Sequence, residues 1–284
     1  MAALEGRFRS TARVVRMDIH TTWARRKLTP GGPIDLDNRK TLWGVSDGDP
    51  QQTRLLYVFT GPGRLAGTTL LMHDRAGSAE QDAMWLYLRS FEIFKQLELE
   101  TQRVMVPGTA LTYEDSRGFI PLDKYRFSTV DSAGAIEGGG VSLLACPRSE
   151  TIRKHVGYRS LLLRVDPEKQ IVRWIQYRDL AGKPLKTYEL LGELQRGERF
   201  YPAEVRLEHL AEGFTTRIAY EYWFPAAPPP ALFEPSLERG LFVDRLEAYL
   251  AQIGQSERVR VELEQADEQF RQFEEKLRRI EAGK

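Results

Sequence analysis

From Thr11 to about Glu221 one local pattern recurs: short runs rich in aliphatic and aromatic residues, set roughly 8–12 residues apart by Gly, Pro, Asp and Asn. Links this short cannot carry a parallel crossover, so the strands are expected to run antiparallel. Residues 55–60 (LLYVFT), 68–73 (TTLLMH) and 85–88 (WLYL) lie between turn signals, and the first two make a neighbouring pair. Residues 141–145, 160–165, 171–177, 186–191, 200–208 and 215–221 continue as a meander whose turns carry Asp166-Pro167 and Asp179 to Lys183. About eleven strands are predicted. Residues 80–95 fit a helix or a strand, and the β-favouring Trp85-Leu86-Tyr87-Leu88 decides for the strand.

Composition narrows the function. Among 284 residues, 41 basic and 40 acidic side chains nearly cancel and 42% are hydrophobic, which argues against disorder and against nucleic acid as a partner. The basic positions Arg9, Arg13, Arg16, Arg25, Arg26 and Lys27 fit a half-buried strand and its flanks better than a polyanion surface. Cys146 is the sole cysteine and there are four histidines, so no disulfide, metal site or cofactor is expected. No apolar run of about 18 residues is present, so no transmembrane segment is expected, and residues 1–10 lack the apolar stretch of a secretory leader.

From about residue 225 the pattern changes. Pro228-Pro229-Pro230 is expected to run as extended polyproline II at the end of the sheet. A helix follows, with Leu246, Tyr249, Leu250 and Ile253 on one face, until Gly254 interrupts it. Val259, Leu263, Ala266, Phe270, Phe273, Leu277 and Ile280 then recur in steps of 4 and 3, a heptad seam. The chain is therefore read as a sheet domain over 1–240 and a helical, coiled-coil-like tail over 241–284. The seam can fold back on the sheet or preceding helix, pair with its copy, or bind another protein. The tail is expected to be dispensable for folding and to reach a membrane transporter or envelope protein through Leu263, Phe270, Phe273 and Leu277.

Several strings together resemble the LolA-like outer-membrane lipoprotein-sorting family. They are Leu56-Tyr57-Val58-Phe59-Thr60-Gly61-Pro62, Leu65-Ala66-Gly67-Thr68-Thr69-Leu70-Leu71, the WLYL strand, Gly108-Thr109-Ala110-Leu111-Thr112-Tyr113-Glu114-Asp115, and Leu232-Phe233-Glu234-Pro235 before Leu237-Glu238-Arg239-Gly240. Where that family usually carries arginine before the Gly-Thr of the second strand, this chain has Ala66, with Arg64 two positions earlier. The resemblance implies a mainly β fold, an open, strongly curved antiparallel half-barrel with covering helices. It also implies a periplasmic location and an apolar cavity that shields the acyl chains of a lipid or lipoprotein. Tyr57, Phe59, Leu70, Met72, Trp85 and Tyr87 are the cavity candidates, since alternate residues share a sheet face; the same residues also suit an ordinary core.

No catalytic constellation competes with that reading. Gly61 to Gly67 lacks a Walker or dinucleotide pattern, the serines stand outside GxSxG, and His155 and His209 have no motif partner. Glu114 and Asp115, adjacent on one extended segment, are expected to point to opposite faces and to form a solvated turn or a structural ion pair rather than share a substrate. The chain is read as a non-enzymatic carrier, with an interaction subunit of an envelope complex as the alternative. Cys146 is expected to be a small buried residue.

Overall fold

One antiparallel sheet of thirteen strands dominates the protein, seen here in a computed structural model that describes residues 12–23, 28–29, 32–33, 38–49, 52–61, 65–75, 82–98, 103–118, 120, 122–130, 140–235 and 241–282. Its strands are β1 (Arg13–Trp23), β4 (Asn38–Ser46), β5 (Gln52–Gly61), β6 (Thr69–Arg75), β7 (Ala83–Leu88), β8 (Ile93–Gln96), β9 (Tyr125–Thr129), β10 (Val141–Pro147), β11 (Ser160–Asp166), β12 (Ile171–Arg178), β13 (Pro184–Arg196), β14 (Arg199–His209) and β15 (Phe214–Trp223). A two-residue ladder, β2 (Leu28–Thr29) with β3 (Gly32–Pro33), stands apart. The helices are α1 (Glu150–Val156), α2 (Leu241–Ala251) and α3 (Ser256–Ala282).

The spatial order is β8-β7-β6-β5-β4-β1-β15-β14-β13-β12-β11-β10-β9. Two meanders thus meet on β1, which pairs β4 on one side and the last strand, β15, on the other. The sheet is open, mainly β and covered by helices, as the half-barrel expectation has it. Thirteen strands replace the expected eleven because β4 opens on Asn38-Arg39-Lys40, β8 has four largely exposed residues, and β9 ends on polar ones. Residues 83–88 form a strand, as favoured from their composition.

Both faces of the central strands are covered. Six consecutive residues of β5, Leu55 to Thr60, are buried for that reason. On the inner face Val15, Met17, Ile19, Leu42, Tyr57, Phe59 and Leu70 form a core with Leu97, Val106, Ala110 and Tyr113 of the link between β8 and β9. On the outer face Val14, Trp43, Val45, Leu56, Val58 and Leu71 pack under α2 and α3. A third cluster, with Val156 of α1, fills the end built from β9 to β12.

The tail is joined to the outer core. Val259, Leu263 and Ala266 are buried there with Phe242, Leu246, Tyr249 and Leu250. Gly254 links α2 to α3 with a φ of 69°, a left-handed conformation that favours glycine. Glu262 pins the helix from within the seam. It accepts hydrogen bonds from Trp43 Nε1 at 2.8 Å, Thr60 Oγ1 at 2.6 Å and Arg16 Nε at 2.8 Å. Leu263, expected to face a partner, instead contacts this chain's own sheet, because Val259, Leu263 and Ala266 share the helix face that Glu262 anchors. Phe270 is half-buried, and the side chains of Phe273, Leu277 and Ile280 lie outside the described residues.

Two smaller expectations change. The proline segment is not extended throughout: Pro230–Phe233 forms a 3₁₀ turn that buries Leu232 and Phe233 against the outer core. Cys146 is half-buried rather than buried. Arg9, Arg25, Arg26, Lys27, Arg64 and the link at Gly138 and Gly139 lie outside the described residues.

Candidate functional site

Strand register arranges the inner face in rows that cross the sheet. One row runs Tyr222, Val15, Gly44, Tyr57, Leu70, Leu86; the next runs Tyr220, Met17, Leu42, Phe59. Paired residues of an antiparallel ladder share a face, so each row presents a continuous apolar and aromatic surface. Gly44 makes the first row possible. A Cβ there would lie 2.4 Å from Tyr57 Cε1 and 2.9 Å from Val15 Cγ1, so only glycine lets the Tyr57 ring lie across β4.

These rows wall a cavity of about 90 Å³, lined by Val15, Met17, Ile19, Leu42, Tyr57, Phe59 and Leu70 from the sheet. Its opposite wall comes from the β8–β9 link through Val106, Leu111, Asp115 and Ser116. Arg13, Tyr220 and Tyr222 complete it. Burial raises the pKa of the Tyr57 and Tyr220 phenols, so these hydroxyls remain neutral inside the apolar surroundings. On the far side of the link a second space of about 340 Å³ is lined by Met105, Ala110, Thr112, Tyr158, Lys186 and His209, among others. Residues 103–118 therefore form a plug between two spaces.

Buried charges fasten the plug at both sides. Arg117, 1% exposed, donates to Asp74 Oδ1 on β6 and to Glu114 Oε2, each at 2.8 Å, and lies 3.4 Å from Asp82. Lys124 Nζ stands 2.9 Å from Asp82 and 3.1 Å from Glu114. Burial opposes ionisation of Glu114, but the charges of Arg117 and Lys124 win and hold its carboxyl far below the usual range. His155 of α1, 3.7 Å from Glu114, is pushed down to about 4: burial, joined by Lys124 and Arg117, outweighs the pull of Glu114.

Asp115 turns the other way. It accepts from Thr112 N and Thr112 Oγ1, each at 2.7 Å, from Tyr158 Oη at 3.1 Å, and from Lys186 of β13. Lys186 also donates to the Ala110 carbonyl at 3.1 Å, and Ala110 N–H donates to Thr216 Oγ1 of β15 at 2.9 Å. Glu114 and Asp115 thus make separate structural ion pairs, as expected, although they sit in a turn rather than on an extended strand.

The register divides the six cavity candidates. Tyr57, Phe59 and Leu70 line the cavity, and Met72 is buried in the same inner face without reaching it. Trp85 and Tyr87 face the other way. Trp85 pairs with Leu71 and Tyr87 with Thr69, which places both on the helix-covered side, while Met84 and Leu86 hold the inner positions. A one-residue phase difference between β6 and β7 produces this, and composition carries no trace of it. Sequence reading also missed the plug and Arg13. The alternation of Val15, Met17 and Ile19 was the available signal for β1, and Asp115 with Arg117 the signal for the plug. Among the described residues no group of His, Cys, Asp and Glu is placed to hold a metal ion, and no helix is long and apolar enough to cross a membrane.

A family model described as an uncharacterized protein matches residues 51–236, well over half of the chain. The chain belongs to that family. Its fold is LolA-like, as three solved structures show. A proposed outer membrane lipoprotein-sorting protein domain from Vibrio parahaemolyticus has a TM-score of 0.67 at 18% identity, covering 82% of this chain and 94% of that one. A DUF1329 family protein from Desulfovibrio piger also has a TM-score of 0.67 at 18% identity, with coverage of 82% and 95%. A LolA superfamily protein from Nitrosomonas europaea has a TM-score of 0.60 at 15% identity, with coverage of 82% and 96%. No curated protein matches the chain.

Proposed function

We propose that this LolA-like protein is a periplasmic carrier or receptor for the acyl chain of a lipid or lipoprotein, working with a membrane transporter. The observation that carries the reading is the inner face itself: a continuous apolar and aromatic wall closed by a plug rather than by a second sheet. Each acyl methylene moved from water onto such a wall contributes about 0.8 kcal/mol, so transport across an aqueous space requires a lining and no catalytic group.

The present cavity is well below the roughly 300–1,000 Å³ of ordinary ligand sites. Loading therefore requires residues 103–118 to move, which would join the two spaces on either side of them. The same small volume favours a second reading, an envelope-complex subunit with a collapsed cavity that acts through the distal part of α3.

Native mass spectrometry of the protein purified from its own envelope separates the two. Bound fatty acyl material supports the carrier; a ligand-free mass together with no uptake of acyl lipid from vesicles supports the subunit.

A further inference from the structure

The larger of the two spaces, behind the plug, has a one-sided chemistry. Arg103 and Val104, both exposed, mark its rim, and Val156, Tyr158 and Lys186, each buried, mark its depth. Among the described residues no acidic side chain lines it. At about 340 Å³ it reaches the lower end of the range of ordinary ligand sites, which the cavity of about 90 Å³ does not.

Two of its donors are uncommitted. His209, 7% exposed, stacks on Phe214 with ring centroids 5.1 Å apart, and its Nδ1 accepts the Glu212 backbone N–H at 3.3 Å. A neutral imidazole carries one proton, which that bond leaves on Nε2, and Nε2 has no acceptor among the described residues. Arg103 forms no ion pair among the described residues; its guanidinium reaches the Lys154 carbonyl at 3.5 Å. Lys186, the other cation of the lining, is committed to Asp115 and to the Ala110 carbonyl. Glu212, whose charge reaches His209, is exposed and outside the lining. One positive charge is left over.

The remaining walls are apolar, with Met105, Val156 and Leu185 among them. A ligand that suits this space has a short apolar body and one negative charge. The planar fork of an arginine matches both oxygens of a carboxylate, and the Nε2–H of His209 adds a third bond. A phosphate monoester would bring nearly two negative charges to a single uncompensated cation, so the carboxylate fits better.

We propose that the space behind the plug is a second binding site, for a short-chain amphiphilic carboxylate, with the anion held by Arg103 and His209 and the chain by Met105, Val156 and Leu185. It goes beyond the carrier reading, because the two spaces share no lining residue and this one is open while the plug is in place.

The test titrates the full chain, stripped of lipid, with octanoate, octanol and octyl phosphate at pH 7.5 by calorimetry. Octanoate should bind about tenfold or more tightly than octanol, and at least as tightly as octyl phosphate. Arg103→Gln, at an exposed position where folding is unaffected, should bring octanoate to the level of octanol, and His209→Phe should weaken octanoate several-fold. Leu185→Trp fills the space and should abolish octanoate binding, whereas Leu70→Trp, across the plug, should leave it. Equal affinity for acid and alcohol, binding of none of the three, or octanoate binding lost in Leu70→Trp and kept in Leu185→Trp overturns the site. Tighter binding of octyl phosphate overturns the choice of a carboxylate. None of these results decides the carrier reading, which native mass spectrometry of the envelope-purified protein tests by itself.

Discussion

Trp43 donates its indole N–H to Glu262 at 2.8 Å, joining a fully buried position in the middle of the sheet to the helix seam 219 residues later. A heptad read in isolation asks for another helix. Here its first half is satisfied by a sheet, and the carboxylate that makes the match sits between Val259, Leu263 and Ala266.

Removing the tail should therefore destabilise the domain. Truncation after Gln252 exposes Trp43 and its neighbours and deletes Val259 and Leu263, each contributing about 1.5–3 kcal/mol by burial. Melting should fall by roughly 10–20 °C, in contrast to the dispensable tail expected from periodicity. Glu262→Ala alone should cost about 1–3 kcal/mol by leaving the buried indole N–H without its acceptor. An unchanged melting curve for the truncated chain would place the tail outside the core.

The antiparallel meander, the strand reading of residues 83–88 and the seam were legible because period, turn chemistry and spacing are local properties. Sidedness was not. Trp85 and Leu86 are equally suited to an apolar wall, and only the pairing of Trp85 with Leu71 decides between them. The plug was hidden for a similar reason. Residues 103–118 have little regular structure, and ion pairs to residues 43 and 71 positions away hold them in place.

Acid should loosen this arrangement. His155 is held near 4 in the folded protein against about 6.5 when unfolded, so between those values the unfolded chain binds the extra proton. Stability is then complete above pH 6.5 and declines as pH falls toward 4, by up to about 3 kcal/mol from this group. Glu114, whose folded value is depressed, adds a loss in the same direction as pH falls below about 4.5. Denaturant unfolding at pH 7.5 and 5.0 should show the decline, and His155→Gln should flatten it; an equal slope in the variant would assign the effect to other groups.

Arg117 is the fastening of the plug most sensitive to change. Arg117→Met leaves Asp74, Asp82 and Glu114 buried with one cation fewer, which costs about 3–5 kcal/mol for a broken buried pair. Amide exchange in residues 103–118 should accelerate before the sheet strands follow. Uniform exchange across β4 to β6 and the plug would mean that the ion pairs hold the whole sheet and not the plug.

The two faces of β6 and β7 should separate in function. Leu70→Trp adds bulk at the cavity wall and should lower acyl-lipid uptake from vesicles several-fold with a modest change in stability, since overpacking costs about 1–3 kcal/mol. Trp85→Ala removes a ring that packs against His73 at 4.9 Å on the outer side, and it should lower stability while uptake per folded molecule is kept. Reversed effects would show that acyl chains use the helix-covered face.

Gly44 and Tyr57 offer the sharpest test of the inner rows, because one has no side chain where the other lays its ring. Gly44→Ala places a Cβ at 2.4 Å from Tyr57 Cε1, closer than carbon atoms approach, so the ring must swing off β4. The inner face is walled by Val15 and Leu70 in the same row, and the space open to the ring is the cavity. Gly44→Ala should therefore cost about 1–3 kcal/mol by overpacking and lower acyl uptake by the same displacement. Tyr57→Leu removes the ring, and in that background Gly44→Ala should be close to neutral. The double-mutant cycle then reports a coupling of about 1–3 kcal/mol between residues that make no hydrogen bond to each other. Additive losses would mean that the ring has room elsewhere and that Gly44 serves some other requirement of β4.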